Sequence, residues 1–154
     1  MPNVRPSYGG VILPQPLSAS DLELVEAARD VIRRNYDAAS ENHTVGSAVR
    51  CASGRVYVGV NVYSLHGSCA EFIAIGSAIT AGEREFVAIA SARGADGSEL
   101  LPPCGNCRQV MADYAPDCEV ILPGAGHPHK MTARALLPEA HFVYPDPYPR
   151  VPHR

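Results

Sequence analysis

Cys69-Ala70-Glu71 and Pro103-Cys104-Gly105-Asn106-Cys107 are the two segments whose reading decides the fold. Together they hold three of the chain's five cysteines. Three thiolates form a soft ligand set that suits Zn²⁺. Structural zinc sites are usually closed by four protein ligands, whereas catalytic ones keep a place for water. Such a water needs a nearby proton carrier, and Glu71 stands two residues past Cys69. Cysteines three apart, as at 104 and 107, share one side of a helical first turn. Cys69 precedes a second helix, so two helix N-termini aim at one point. Their positive ends favour thiolate over thiol. Their N–H groups, that of Ala70 included, can hold a substrate oxygen.

Working outward, alternating helices and interior apolar strands predict an α/β fold, a three-layer α/β/α sandwich on a mixed, roughly five-stranded sheet. Ser20 with Glu23 has capping-box spacing and predicts a helix to about Tyr36, with Leu22, Val25, Ala28, Val31 and Ile32 on one face. Strands are expected at 45–51 and 55–62, joined at Ser53-Gly54. Asn61 and Tyr63 then share a face, opposite the valines, at the strand end nearest Cys69. Residues 70–81 are almost wholly apolar, which predicts a helix buried all round and stopped by Gly82. An interior strand follows at 86–92. Beyond it come a helix from about Cys104 to Tyr114, a strand at 118–122, a Gly/Pro/His loop at 123–130 and a short helix at 132–137. Residues 1–19, with four prolines and two adjacent glycines, read as an extended arm. Residues 20–143 form the domain, and 144–154 a proline-rich tail, either a lid over the site or disordered.

The 154 residues suffice for one domain with a core that needs no staples. A formal charge of −3 and the lack of any Lys/Arg block argue against a nucleic-acid partner. Arg29, Arg33 and Arg34 are interleaved with acids and read as a solvated helix face. No run reaches the ~18 apolar residues of a membrane span, and the N-terminal stretch lacks a signal peptide's apolar core. The cytoplasm is the expected compartment. An odd cysteine count with three at metal spacing also argues for reduced thiols. Cys51 and Cys118 lie in apolar runs and read as small buried hydrophobes.

Several of these residues carry a plainer reading. Acids are common in helix first turns for dipole reasons alone, which would leave Glu71 exposed. Yet it lies in an apolar helix, where an unpaired carboxylate is costly, and this favours a chemical role. Three thiolates leave a net negative charge on the metal, so a compensating cation is expected. Arg108, beside Cys107, is the candidate, with an ordinary exposed helix residue as its alternative. The competing reading of the cysteines is a structural zinc whose fourth ligand comes from a histidine such as His66, His127 or His129.

Val58-Gly59-Val60-Asn61-Val62-Tyr63, Cys69-Ala70-Glu71 and Pro103-Cys104-Gly105-Asn106-Cys107-Arg108-Gln109-Val110-Met111 together resemble the small cytidine deaminases, most closely the blasticidin-S deaminase branch. Thr132, Leu136-Leu137-Pro138 and Phe142 resemble that family's C-terminal pattern, with Phe142 as a substrate contact. The resemblance implies Zn²⁺ on Cys69, Cys104 and Cys107, and hydrolysis at C4 of a cytosine ring with release of ammonia. It gives Glu71 the proton transfers, and it implies a homotetramer whose neighbouring subunits help to line each pocket. Cytidine deaminases hold the ribose with an asparagine and, two residues on, a glutamate. Here Asn61 is kept and Tyr63 replaces the glutamate, as in the blasticidin branch, which turns the expectation away from ordinary cytidine. The family's base-stacking aromatic is His43, which can stack or hydrogen-bond. The family's arginine after Cys-Ala-Glu is Phe72, which throws more weight on Arg108. The loop at 64–68 is shorter than in either relative.

The leading expectation is a zinc-dependent aminohydrolase of a free cytosine nucleoside or nucleoside-like compound, with a blasticidin-S-like substrate favoured. Cytidine, deoxycytidine, or another amino-heterocycle such as an azapyrimidine, purine or pterin is the alternative. From other classes come a polynucleotide binder, disfavoured by the missing basic stripe and aromatics, and a non-catalytic zinc-stapled protein, which would unfold on chelation.

Overall fold

The computed structural model describes residues 14–141. The first helix, α1 (Ala19–Asn35), is capped by Ser18, two residues earlier than the sequence predicts. Ser18 Oγ accepts from the Asp21 N–H (3.3 Å) while the Asp21 carboxylate accepts from the Ser18 N–H (2.9 Å). Asp21 displaces Glu23 as the box partner because its side chain is wholly buried and anchored elsewhere. Arg50 (3.1 Å) and Lys130 (2.9 Å) both reach it, and Lys130 also pairs with Glu119 at 2.7 Å. Burial alone would raise the Asp21 pKa. The Ser18 N–H, Lys130, the Ser18 hydroxyl and Arg50 together hold it well below the ordinary carboxylate range instead.

A mixed sheet forms the middle layer. Its strands are β1 (Gln15–Pro16), β2 (Val45–Cys51), β3 (Val56–Val60), β4 (Phe86–Arg93), β5 (Glu99–Leu100), β6 (Glu119–Leu122) and β7 (His129–Thr132). The order is β1-β7-β6-β4-β2-β3, with β5 on β4, and β4 with β6 is the parallel pair. Among the described residues seven strands therefore replace the roughly five expected. The two-residue β1 and β5 are too short to show a period, and β7, which starts inside the Gly/Pro/His stretch, has four residues that are all half-buried and so show no alternation.

Period-two alternation sorts the side chains of the central strands into two cores. On one face Ala48, Ala88, Ala90, Ala92 and Ile121 meet Leu24, Val25 and Ala28 of α1. On the other, Val49, Ile89, Val120 and Leu122 meet α2 (Ala70–Thr80) and α3 (Gly105–Tyr114), with Ala74, Ile75, Ala78, Cys107 and Met111. The α/β/α sandwich is thus realised. Alanine on the α1 face lets that helix lie close to the sheet.

Helix α2 is not buried all round. Ala70, Glu71, Ala74, Ile75 and Ala78 face inward. Phe72, Ile73, Gly76, Ser77 and Thr80 line a shallow outward depression. The apolar run therefore covers two faces, one packed in the core and one only half-buried. Phe142 and the proline-rich tail lie outside the described residues, as does the arm up to residue 13.

Candidate active site

Helix α2 is set by β3. A Cβ built on Gly59 would lie 2.5 Å from the Ala74 nitrogen and 2.8 Å from the Ala70 oxygen. The missing side chain is what lets the first turns of α2 rest on the strand. Beyond β3, Val62 and Ser68 exchange backbone bonds (2.9 and 3.0 Å), closing the loop between them and delivering the chain to Cys69. Helix α3 is delivered by the segment after β5, where the Leu101 N–H donates to Ser91 O at 3.0 Å and Pro103 is buried.

Cys69 is the N-cap of α2 and Cys104 that of α3, and neither side chain caps its own helix. Both sulfurs are therefore free to turn toward each other, 3.6 Å apart. Cys107, wholly buried in the first turn of α3, completes a group whose ligand atoms lie within 4.8 Å of one another. Tetrahedral Zn²⁺ with bonds of ~2.3 Å needs sulfurs roughly 3.8 Å apart, so the donor set fits the ion. Among the described residues, no histidine or carboxylate joins this group.

The thiols titrate unlike free ones. Burial, then the nearby Cys104, pushes Cys69 up. Burial, then the charge of Glu71, pushes Cys107 far up. Burial also acts against Cys104, but the Cys107 backbone N–H and the neighbouring sulfurs bring it below the ordinary thiol value. Three such groups cannot all ionise without a cation between them. Cys51 and Cys118 are the small core residues expected, their thiols raised by burial to about 11 and about 12.

Glu71, in the first turn of α2, is 5% exposed, which removes the reading of it as a solvated dipole residue. Arg108 is half-buried. Its Nε donates to Pro103 O (3.0 Å) and an Nη to Leu136 O (3.2 Å), so it braces the residue before Cys104 against the 3₁₀ turn Ala133–Leu136. It is not an ordinary exposed helix residue.

Asn61 and Tyr63 diverge in exposure because the chain leaves the ladder after Val60. Asn61 Oδ1 accepts from the N–H groups of Thr44 (2.8 Å) and Val45 (2.9 Å), and its Nδ2 donates to Asn42 O (3.1 Å). Tyr63 is 76% exposed, and Leu65 and His66 beside it are exposed too. His43 is half-buried, its Nδ1 2.8 Å from the Asn61 carbonyl. The loop that carries it is folded by Asp37, whose carboxylate accepts from the N–H groups of Ala39, Ser40 and Asn42. Sequence reasoning missed this brace, although an aspartate just past a helix end is a recognisable turn former. It also missed Gln109, which donates to Asp113 and to the His141 carbonyl, both at 2.9 Å, and so draws the end of the described chain onto α3.

Comparison with known proteins bears on the same residues. A family model described as the cytidine and deoxycytidylate deaminase zinc-binding region matches residues 18–122. A blasticidin-S deaminase of Bacillus cereus is 37% identical over 131 residues, covering 79% of this chain and 92% of that one. A cytidine deaminase of Halalkalibacterium halodurans is 41% identical over 102 residues, covering 62% of this chain and 75% of the relative. Among solved structures, the cytidine deaminase from Burkholderia pseudomallei superposes with a TM-score of 0.65 at 36% identity, over 81% of this chain and all of that one. The enzyme from Mycobacterium leprae gives 0.66 at 30% identity, over 80% and 100%.

Proposed function

The chain belongs to the cytidine and deoxycytidylate deaminase zinc-binding family, and from that premise we propose that this zinc-dependent deaminase acts on a free cytosine nucleoside or nucleoside-like compound, with a blasticidin-S-like substrate favoured over cytidine. The observation that carries the reading is Glu71, a carboxylate 5% exposed beside three clustered thiols.

Cys69, Cys104 and Cys107 hold the ion in this proposal, and Zn²⁺ bound there supplies Lewis-acid activation of a water. Glu71 would take one proton from the water that adds to C4 and give it to ring N3. It would then take the second from the new C4 hydroxyl and give it to the exocyclic amine, so that the C4–N bond breaks, the C4 carbonyl forms and ammonia leaves. The Ala70 N–H, at the positive end of α2, orients an oxygen in the site. Arg108 braces the Cys104 turn, and its positive charge offsets part of the thiolate charge. Asn61 and Tyr63 meet the part of the substrate beyond the base, and Phe142 closes the pocket. Tyr63 in place of a carboxylate is what favours the blasticidin-like substrate.

We further propose a homotetramer in the cytoplasm. The exposed Val62, Tyr63 and Leu65 and the outward face of α2 support association, and five free cysteines suit a reducing compartment. Light scattering on the purified protein checks the assembly.

The decisive experiment offers cytidine, deoxycytidine, free cytosine, blasticidin S and amino-purines at matched concentration, following ultraviolet absorbance and ammonia. Glu71→Ala is expected to retain zinc and lose at least about 10²–10⁴-fold in turnover. Retained turnover rejects the role given to Glu71, and cytidine reacting fastest rejects that given to Tyr63.

A further inference from the structure

A carbonyl oxygen can only accept a hydrogen bond. The 2.8 Å contact between His43 Nδ1 and Asn61 O therefore fixes the proton of the neutral ring on Nδ1. Nε2 is left with its lone pair. His43 is held at two points, since its own carbonyl accepts from the Asp37 N–H at 3.0 Å. The ring is thus presented in one tautomer by a braced loop.

Its location follows from the same contacts. Asn61 adjoins Val62, Val62 pairs with Ser68, and Ser68 adjoins Cys69. His43 therefore sits at the end of the sheet that carries the thiol cluster. Asn61 cannot provide an acceptor there. Both lone pairs of its Oδ1 are taken by Thr44 and Val45, and one Nδ2 proton goes to Asn42. Its side chain has a single N–H left to give.

We propose that His43 is a specificity-determining residue whose Nε2 accepts a hydrogen bond from an O–H or N–H donor on the part of the substrate outside the base. This rests on the deaminase reading above and deepens it. The site selects substrates that carry a donor beyond the ring, either a sugar hydroxyl or the amide and amine groups of an antibiotic side chain.

His43→Asn separates this role from a structural one. The asparagine amide can still donate to the Asn61 carbonyl from the Nδ1 position, but nothing remains at the Nε2 position. The wild type and the variant are compared on cytidine, 2′,3′-dideoxycytidine and blasticidin S. The expected result is a loss in kcat/KM of about tenfold on the preferred substrate, carried by KM, with an unchanged Tm. A loss on cytidine that vanishes on the dideoxy analogue identifies hydroxyls as the donors. A loss confined to blasticidin S identifies side-chain N–H groups. Equal kinetics for variant and wild type on every substrate overturn the proposal while leaving the deaminase reading intact. A wild type that releases no ammonia from any heterocycle overturns both. Independently of activity, ¹⁵N shifts of the resting protein at neutral pH are expected to show Nδ1 protonated and Nε2 bare, and the reverse pattern overturns the inference.

Discussion

The sulfurs of Cys69 and Cys104 lie 3.6 Å apart although 35 residues separate them in the chain. Each stands at the N-cap position of a different helix, and the strands feeding those helices fix their approach. The third sulfur differs in kind, since Cys107 is fully buried and packs in the core between α3 and the sheet, whereas Cys104 is exposed.

That difference predicts separable outcomes. Cys104→Ala should abolish stoichiometric zinc and turnover while leaving the metal-free protein about as stable as metal-free wild type. Cys107→Ala should abolish zinc as well and destabilise the metal-free protein by roughly 1–2 kcal/mol, because a core atom is lost. Metal content by mass spectrometry and urea unfolding after chelation read the two effects. Equal stability of the two metal-free variants contradicts the assignment of Cys107 to both core and cluster.

Gly59 couples the sheet to the site. With 2.5 Å from a built Cβ to the Ala74 nitrogen, Gly59→Ala forces α2 away from β3. The expected cost is about 1–3 kcal/mol in urea unfolding. Turnover should fall more steeply than stability accounts for, because Cys69 and Glu71 ride on the displaced end. A variant with wild-type kcat and Tm contradicts the close approach.

How much of this was legible depends on the physics behind each feature. Cysteines at metal spacing and strands of period two are local patterns, so the cysteine cluster, the β2–β3 turn, β4 and the sandwich could be read directly. Short elements made by pairing rather than periodicity could not. β7 exists because His129–Thr132 pairs with β6, not because its residues alternate. Asp21 drew no reading at all, because nothing in the chain announces that Arg50 and Lys130, 29 and 109 residues away in sequence, converge on it. Likewise, the amide of Asn61 read as a substrate contact, and only its three backbone partners show how little of it remains to offer.

The Asp21 brace makes stability depend on acid. Its folded pKa is held below the ordinary value of 3.8, so the unfolded state binds the proton first as pH falls. The stabilisation is fully present above about pH 4 and drains away below it, through the folded value. Asp21→Asn should cost about 3–5 kcal/mol at neutral pH, since Arg50 and Lys130 lose a buried partner. The variant should also show a flatter loss of Tm than wild type between about pH 4 and pH 2. Parallel Tm profiles for the two proteins across that window would assign the acid transition to other carboxylates.

Arg108 offers the sharpest distinction between holding the fold and holding the metal. Its guanidinium spans the Pro103 and Leu136 carbonyls, a geometry one ammonium cannot reproduce. In Arg108→Lys the positive charge survives and the brace does not. If Arg108 sets the turn that aims the Cys104 sulfur, the variant should bind zinc about 10–100-fold more weakly in chelator competition. The free thiols should then react faster with a disulfide reagent in the presence of limiting zinc. A lowered Tm with unchanged zinc affinity would make the residue a clip between α3 and the 3₁₀ turn and nothing more. Arg108→Ala removes both charge and brace, so its difference from the lysine variant isolates the charge. If the guanidinium's charge also offsets the thiolates, alanine should weaken zinc binding beyond lysine by a further factor that shrinks as salt is raised.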